Sequence, residues 1–174
     1  MILVRNIFHT RFGKVDELVS LMKKQHARQA EEGYPYGRVL TGLSAALFSV
    51  VSESEVESSL DALMERQRAN YADVEFKVWF NQMLMCTESG FREVFNVAAP
   101  RADLKGVAGQ VVVRNVFHAR YGKADQLVEH LKKESKLAQH HDVPPLAIYT
   151  DYTGAMFTVV ATRDFASMGD WEKA

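Results

Sequence analysis

Cysteine is nearly absent from this sequence: Cys86 stands alone. An intrachain disulfide is therefore excluded, and a reducing compartment fits. Met83, Met85 and Thr87 flank the thiol and supply no positive charge, so Cys86 reads as a small core hydrophobe rather than a nucleophile. Long apolar runs are also missing. Stretches such as 111–113 and 157–161 are strand-sized and too short to cross a bilayer. The first eight residues contain Arg5 and no apolar h-region, so no signal peptide is expected and a cytoplasmic location is. Nor is there an excess of one charge. Lys+Arg number 21 against 22 Asp+Glu, so neither nucleic acid nor a membrane surface is expected as a partner.

The common catalytic signatures are lacking as well. There is no HExxH, no His/Cys pair at zinc spacing, no GxGxxG, no Walker loop and no GxSxG. His140 and His141 are adjacent at a predicted helix end, where neighbouring side chains diverge and a helix dipole explains their charge. His26 and His130 stand singly on predicted helices. No metal is expected. Aromatic residues are not interleaved with a basic stripe, which argues against RNA-binding use of a sheet.

What the sequence does contain is a repeat. The segment Val4-Arg5-Asn6-Ile7-Phe8-His9-Thr10-Arg11-Phe12-Gly13-Lys14 returns as Val113-Arg114-Asn115-Val116-Phe117-His118-Ala119-Arg120-Tyr121-Gly122-Lys123. Residues 2–24 and 111–133 share 13 of 23 identities at an ungapped offset of 109. The register continues through Pro35/Pro144, Thr41/Thr150 and Ala46/Ala155 to Asp61/Asp170. Copy two stops opposite Glu65, and 99–109, with Pro100, Gly106 and Gly109, reads as a linker. The expected organisation is a first lobe over 1–98, a linker over 99–109 and a second, shortened lobe over 110–174.

Periodicity supplies the elements. Residues 2–9 suit a strand. Val15, Leu18, Val19 and Met22 follow helical spacing over 14–30, and Gly33 and Pro35 end that helix. A hairpin is expected over 38–41 and 46–52 around Gly42-Leu43-Ser44-Ala45. Helices are expected over 55–70 and 72–86, and a fourth strand over 90–97. Copy two reads as strand 110–118, helix 123–140, strands 146–151 and 155–161, and a helix beginning at 164. The order β-α-β-β-α-(α)-β is ferredoxin-like.

This pattern resembles the dimeric α/β-barrel superfamily, and within it the NIPSNAP-like and antibiotic-biosynthesis-monooxygenase-like groups. The resemblance is carried by strand 4–9, the turn Phe12-Gly13-Lys14, the helix start Asp16-x-Leu18-Val19, and Phe91-Arg92-Glu93-Val94-Phe95-Asn96-Val97 as last strand, with 113–118, Tyr121-Gly122-Lys123, Asp125-x-Leu127-Val128 and 157–160 in copy two. It implies an α+β fold of two ferredoxin-like lobes forming a pseudo-dimeric α/β barrel with antiparallel sheets, the second lobe incomplete. The superfamily includes haem-degrading monooxygenases. For those the resemblance implies a first-strand Asn, matched by Asn6 and Asn115, and a second-helix Trp, matched by Trp171 but by Ala62 in copy one. The further His is matched in neither copy. No cofactor is therefore expected, with haem as the alternative.

Side chains alternate along a strand, so Asn6 and Phe8 share one face and Arg5 and His9 the other. Either an Asn pair (Asn6, Asn115) or an Arg/His set (Arg5, His9, Arg114, His118) is expected to face a cavity between the lobes, with Trp171 as a further candidate. Three functions stay open: a binder of a small apolar or aromatic compound, acting as a cofactor-independent oxygenase or isomerase; a non-catalytic assembly protein; and a haem-binding or haem-degrading monooxygenase. A homodimer is expected, because copy two lacks a fourth strand and strand 91–97 has a role in its own lobe.

Overall fold

The computed structural model describes residues 1–34, 37–43, 48–56, 59–103 and 106–174. The chain forms two compact units, Met1–Glu93 and Val94–Ala174.

The first unit contains β1 (Ile2–Thr10), α1 (Val15–Glu31), β2 (Gly37–Thr41), β3 (Ser49–Val56), α2 (Leu60–Ala72), α3 (Val74–Cys86) and the beginning of β4 (Thr87–Ala99). Its strand order is β2-β3-β1-β4. β1 runs antiparallel to β3 from Ile2↔Val56 to His9↔Ser49. Strand alternation then puts Val4, Asn6 and Phe8 beside Ser54, Ser52 and Val50 on one face, and Leu3, Arg5 and Ile7 beside Glu55, Glu53 and Val51 on the other. The first face takes the helices. Leu18 and Met22 of α1 bury against Val50, Met83 and Cys86, with Phe8, Trp79 and Phe80 at the margin of that core. Cys86 is buried, as expected of a core hydrophobe, and burial raises its thiol pKa. The Trp79 indole N–H donates to the Leu21 carbonyl at 2.9 Å, tying α3 to α1. Asp73 caps α3 by accepting from the Glu75 N–H at 2.8 Å and also pairs with Arg28 of α1. At Gly90 a Cβ would lie 2.9 Å from the Ile7 carbonyl oxygen, so only glycine lets β4 approach β1 there.

One boundary differs from expectation. The helix expected over 55–70 starts later: β3 extends to Val56 and α2 begins at Leu60. Cross-strand arginines neutralise Glu53, which makes an acidic residue tolerable in the middle of a sheet. Part of the expected hairpin turn, residues 44–47, lies outside the described residues.

The second unit contains the end of β4, then β5 (Val111–His118), α4 (Ala124–Gln139), β6 (Ala147–Asp151), β7 (Thr158–Phe165) and α5 (Met168–Lys173), with strand order β4-β6-β7-β5. Val128 of α4 packs on Leu146, Ile148, Val159 and Ala161. The pairings β5–β7 and β6–β7 coincide, at the offset of 109, with those of β1–β3 and β2–β3. Phe48 and Phe157 both take positive φ, 59° and 62°, and each meets an aromatic edge, Phe12 at 5.4 Å and Tyr121 at 5.1 Å.

β4 corrects the reason given above for a dimer. It is not confined to its own lobe: Phe95–Ala99 pair with β6, from Phe95↔Asp151 to Ala99↔Ile148. It reaches the β6 edge, however, and not β5. Among the described residues β7 is the only strand neighbour of β5, and Val116 and Phe117 are 44% and 36% exposed there. Open apolar edges recruit partners. We expect sedimentation equilibrium at micromolar concentration to give twice the 19.7 kDa chain mass; a monomer across that range would defeat the homodimer. No helix among the described residues is long and apolar enough to cross a membrane.

Candidate functional site

A cavity of about 570 Å³ lies inside the first unit, between its helices and the sheet. That is a common size for a small-molecule site. The floor is the Asn6 face: Val4, Asn6 and Phe8 of β1 with Ser52 and Ser54 of β3. α1 contributes Gln25, His26 and Gln29; α2 contributes Arg66, Asn70 and Tyr71; α3 contributes Phe76, Trp79 and Phe80; Arg92 comes from β4. The aromatic wall follows from helical spacing, since residues three and four apart share a face. Phe76 meets Trp79 at 5.2 Å and stacks with Phe80 at 5.9 Å, while Tyr71 turns its edge to Phe76 at 5.7 Å and to Phe80 at 5.9 Å.

Two polar contacts are set into this wall. The Arg92 Nε–H donates to Asn6 Oδ1 at 2.7 Å, across the β1–β4 pair. His26 Nε2 lies 2.9 Å from Ser52 Oγ. Burial pushes the His26 pKa below its ordinary value of 6.5, and a hydrogen bond with the Gly37 backbone opposes that shift. In the tautomer protonated at Nδ1, Nε2 accepts the Ser52 hydroxyl proton. At Gly37 a Cβ would stand 2.8 Å from His26 Cε1, which is why no larger residue fits beside the ring.

The expected residues are dispersed. Asn6 lines the cavity. Arg5 lies on the opposite face, where Nε meets Glu53 at 2.8 Å and Nη1 meets Glu93 at 2.7 Å. His9 is outside the cavity, its ring 6.1 Å from that of Phe91. In the second unit Arg114 sits 5.7 Å above the Phe95 ring, Asn115 is exposed, and His118 Nδ1 lies 3.3 Å from Thr158 Oγ1. Trp171 is exposed on α5. None of these four lines the cavity. The cavity described lies within the first unit. Of the residues named for haem, Asn6 lines the cavity, Ala62 is exposed on α2, and Trp171 belongs to the second unit.

Sequence reasoning missed His26, Ser52, Arg66 and Arg92. The repeat carried no hint of His26 and Ser52, because copy two has Ser135 and Ala161 opposite them. At the position equivalent to His26 in copy two, Ser135 Oγ accepts from the Leu146 N–H at 2.9 Å.

No protein-family model and no curated protein matches this chain. Solved structures match nearly all of it. A monooxygenase-like protein of Fusobacterium nucleatum gives a TM-score of 0.72 at 12% identity, over 99% of this chain and 78% of its own. An anthrone oxidase-like protein gives 0.68 at 22% identity, over 99% and 76%. A monooxygenase-like protein of Lactobacillus acidophilus gives 0.69 at 11% identity, over 99% and 80%. These likenesses establish the fold: α+β, of the dimeric α/β-barrel kind that the element order led us to expect.

Proposed function

We propose that this chain binds a small aromatic compound in the cavity of its first unit and oxygenates it without a metal or flavin. The observation that carries the reading is the His26–Ser52 pair, set in the floor and roof of a cavity walled by Tyr71, Phe76, Trp79 and Phe80. An electron-rich phenol can reduce O2 directly once it is deprotonated. The Ser52 hydroxyl would take the phenolic proton while passing its own to His26 Nε2. The phenolate then gives one electron to O2, superoxide joins the resulting radical at a ring CH carbon conjugated with the phenolate oxygen, and the peroxide takes up the proton held on His26. Loss of water from the resulting hydroperoxide leaves a carbonyl, with one oxygen atom in the product and the other in water. The likeness to an anthrone oxidase-like protein supports this substrate class. The cavity offers one imidazole and, among the described residues, no group of three metal-binding side chains.

The test is an oxygen electrode with anthrone as the probe, in the presence of a chelator. We expect uptake above the uncatalysed rate. Asn6→Ala should weaken probe binding about tenfold, because it removes an acceptor from a charged donor, while Asn115→Ala should leave binding and uptake unchanged. Probe binding without uptake would instead favour a non-catalytic binding protein. Equal effects of the two substitutions would move the site out of this cavity.

A further inference from the structure

Two guanidiniums reach the cavity with charge to spare. Arg92 spends only its Nε–H on Asn6, a neutral acceptor. Arg66 lies with its Cζ 5.1 Å over the Tyr34 ring, again a neutral partner. No carboxylate lies within 4.0 Å of either group among the described residues. Glu88 is the one acidic residue lining the cavity; it is exposed and pairs with neither. The more buried arginines of the same unit, Arg5, Arg28 and Arg38, each have a carboxylate partner. The sequence thus places two cations beside an aromatic cavity and omits their counter-ions. Arg66 is half-buried and Arg92 exposed; partial desolvation of each guanidinium, and for Arg92 the nearby Arg66 charge, lower their pKa values from the ordinary one, which a bound anion would oppose.

We propose that the cavity takes an aromatic ligand that already carries a carboxylate, its acid group on Arg66 and Arg92 and its ring among Tyr71, Phe76 and Phe80. The proposal rests on the aromatic-ligand reading above and adds the charge of the ligand. Guanidinium groups suit this task because their donors form a fixed planar fork that matches a carboxylate. Their places are also suitable. Arg66 comes from α2 and Arg92 from β4, so a ligand bridging them would draw a helix toward the sheet. Tyr34 and Asn6 hold the two side chains in position without neutralising them.

Matched probes test this. Titration calorimetry with 2-naphthoate and its neutral isostere 2-naphthamide compares the same ring with and without the charge. The wild-type chain should prefer the naphthoate at least tenfold. Raising the ionic strength from about 0.01 M to about 1 M should shrink that preference, because salt screens exposed charge. The preference should vanish in Arg66→Gln/Arg92→Gln and survive in Arg66→Lys/Arg92→Lys. The salt arm needs no variant, so a folding defect in the double variant leaves the proposal open to refutation. Equal or tighter binding of the amide would overturn the charge assignment while leaving the aromatic cavity intact. Failure of both probes to bind would overturn the aromatic reading and this proposal with it.

Discussion

Glu53→Ala should cost this chain about 3–5 kcal/mol of stability, read as a lowered urea midpoint with the slope unchanged. The side chain is 3% exposed and holds two arginines at once: Arg5 Nε at 2.8 Å on Oε1 and Arg38 Nε at 3.0 Å on Oε2. Register explains the triad. Arg5 pairs with Glu53 across β1–β3, and Arg38 with Glu53 across β2–β3, so the three side chains form one row on one face. Truncating Glu53 takes a carboxylate partner from the Arg38 side chain, which is 5% exposed. Losing one partner of a buried ionic group costs far more than the group is worth when intact, because the remaining charge still lacks water. A loss below about 1 kcal/mol would mean that water or other groups solvate the arginines, and the triad would then not be a buried ionic cluster. The second unit shows how dispensable the device is to the architecture. It carries Ala147 and Thr162 where the first has Arg38 and Glu53, yet keeps the same strand register.

The second large effect is expected at His26. If the His26–Ser52 pair carries the phenolic proton, His26→Gln should lower oxygen uptake with anthrone by about a hundredfold or more, the usual scale for a lost general base. Ser52→Ala should do nearly as much, since it removes the relay between ligand and ring. Binding of the probe should change little in either variant, which separates loss of chemistry from loss of the cavity. A His26→Gln variant with full uptake and unchanged binding would remove His26 from the mechanism. The same residue predicts a pH dependence. Burial holds its folded pKa below the ordinary value of 6.5. Between the two values the unfolded chain binds the proton and the folded chain does not. The contribution is therefore fully present above about pH 6.5 and is lost as pH falls through the folded value. Urea midpoints measured downward from pH 7 should decline in that window, and less so in His26→Gln.

Arg5, Asn6 and His9 stood together as first-strand candidates, and the structure separates them. Strand alternation decided that Asn6 and Arg5 face opposite ways; it did not say which face carries the helices. That depends on which residues of the neighbouring strands share each row. Asn6 shares its row with Ser52 and Ser54, beneath α1 and α3, and Arg5 shares its row with Glu53. His26 and Arg92 were legible only as single polar residues on a helix and a strand. They are 66 positions apart in sequence, and nothing local joins them. The aromatic spacing of Phe76, Trp79 and Phe80 did point to one helix face, but such a stripe packs a core in most helices.

By itself the sequence determined the element types and their order, because hydrophobic periods of 2 and 3.6 residues are local properties. It determined the shared register of 2–24 and 111–133, since an ungapped offset admits only one alignment. It also determined that no disulfide and no apolar helical span organise this chain. Tertiary structure decided the rest. The pairing of the end of β4 with β6 joins residues about fifty positions apart, and the ladder that forms depends on free edges that no single segment contains. The cavity likewise exists only where α1, α2 and α3 stand off one sheet face, and its charge balance comes from Arg66 and Arg92 meeting across that space. Burial and electrostatics depend on distance in space, and a linear pattern carries that distance only within a turn or two of chain.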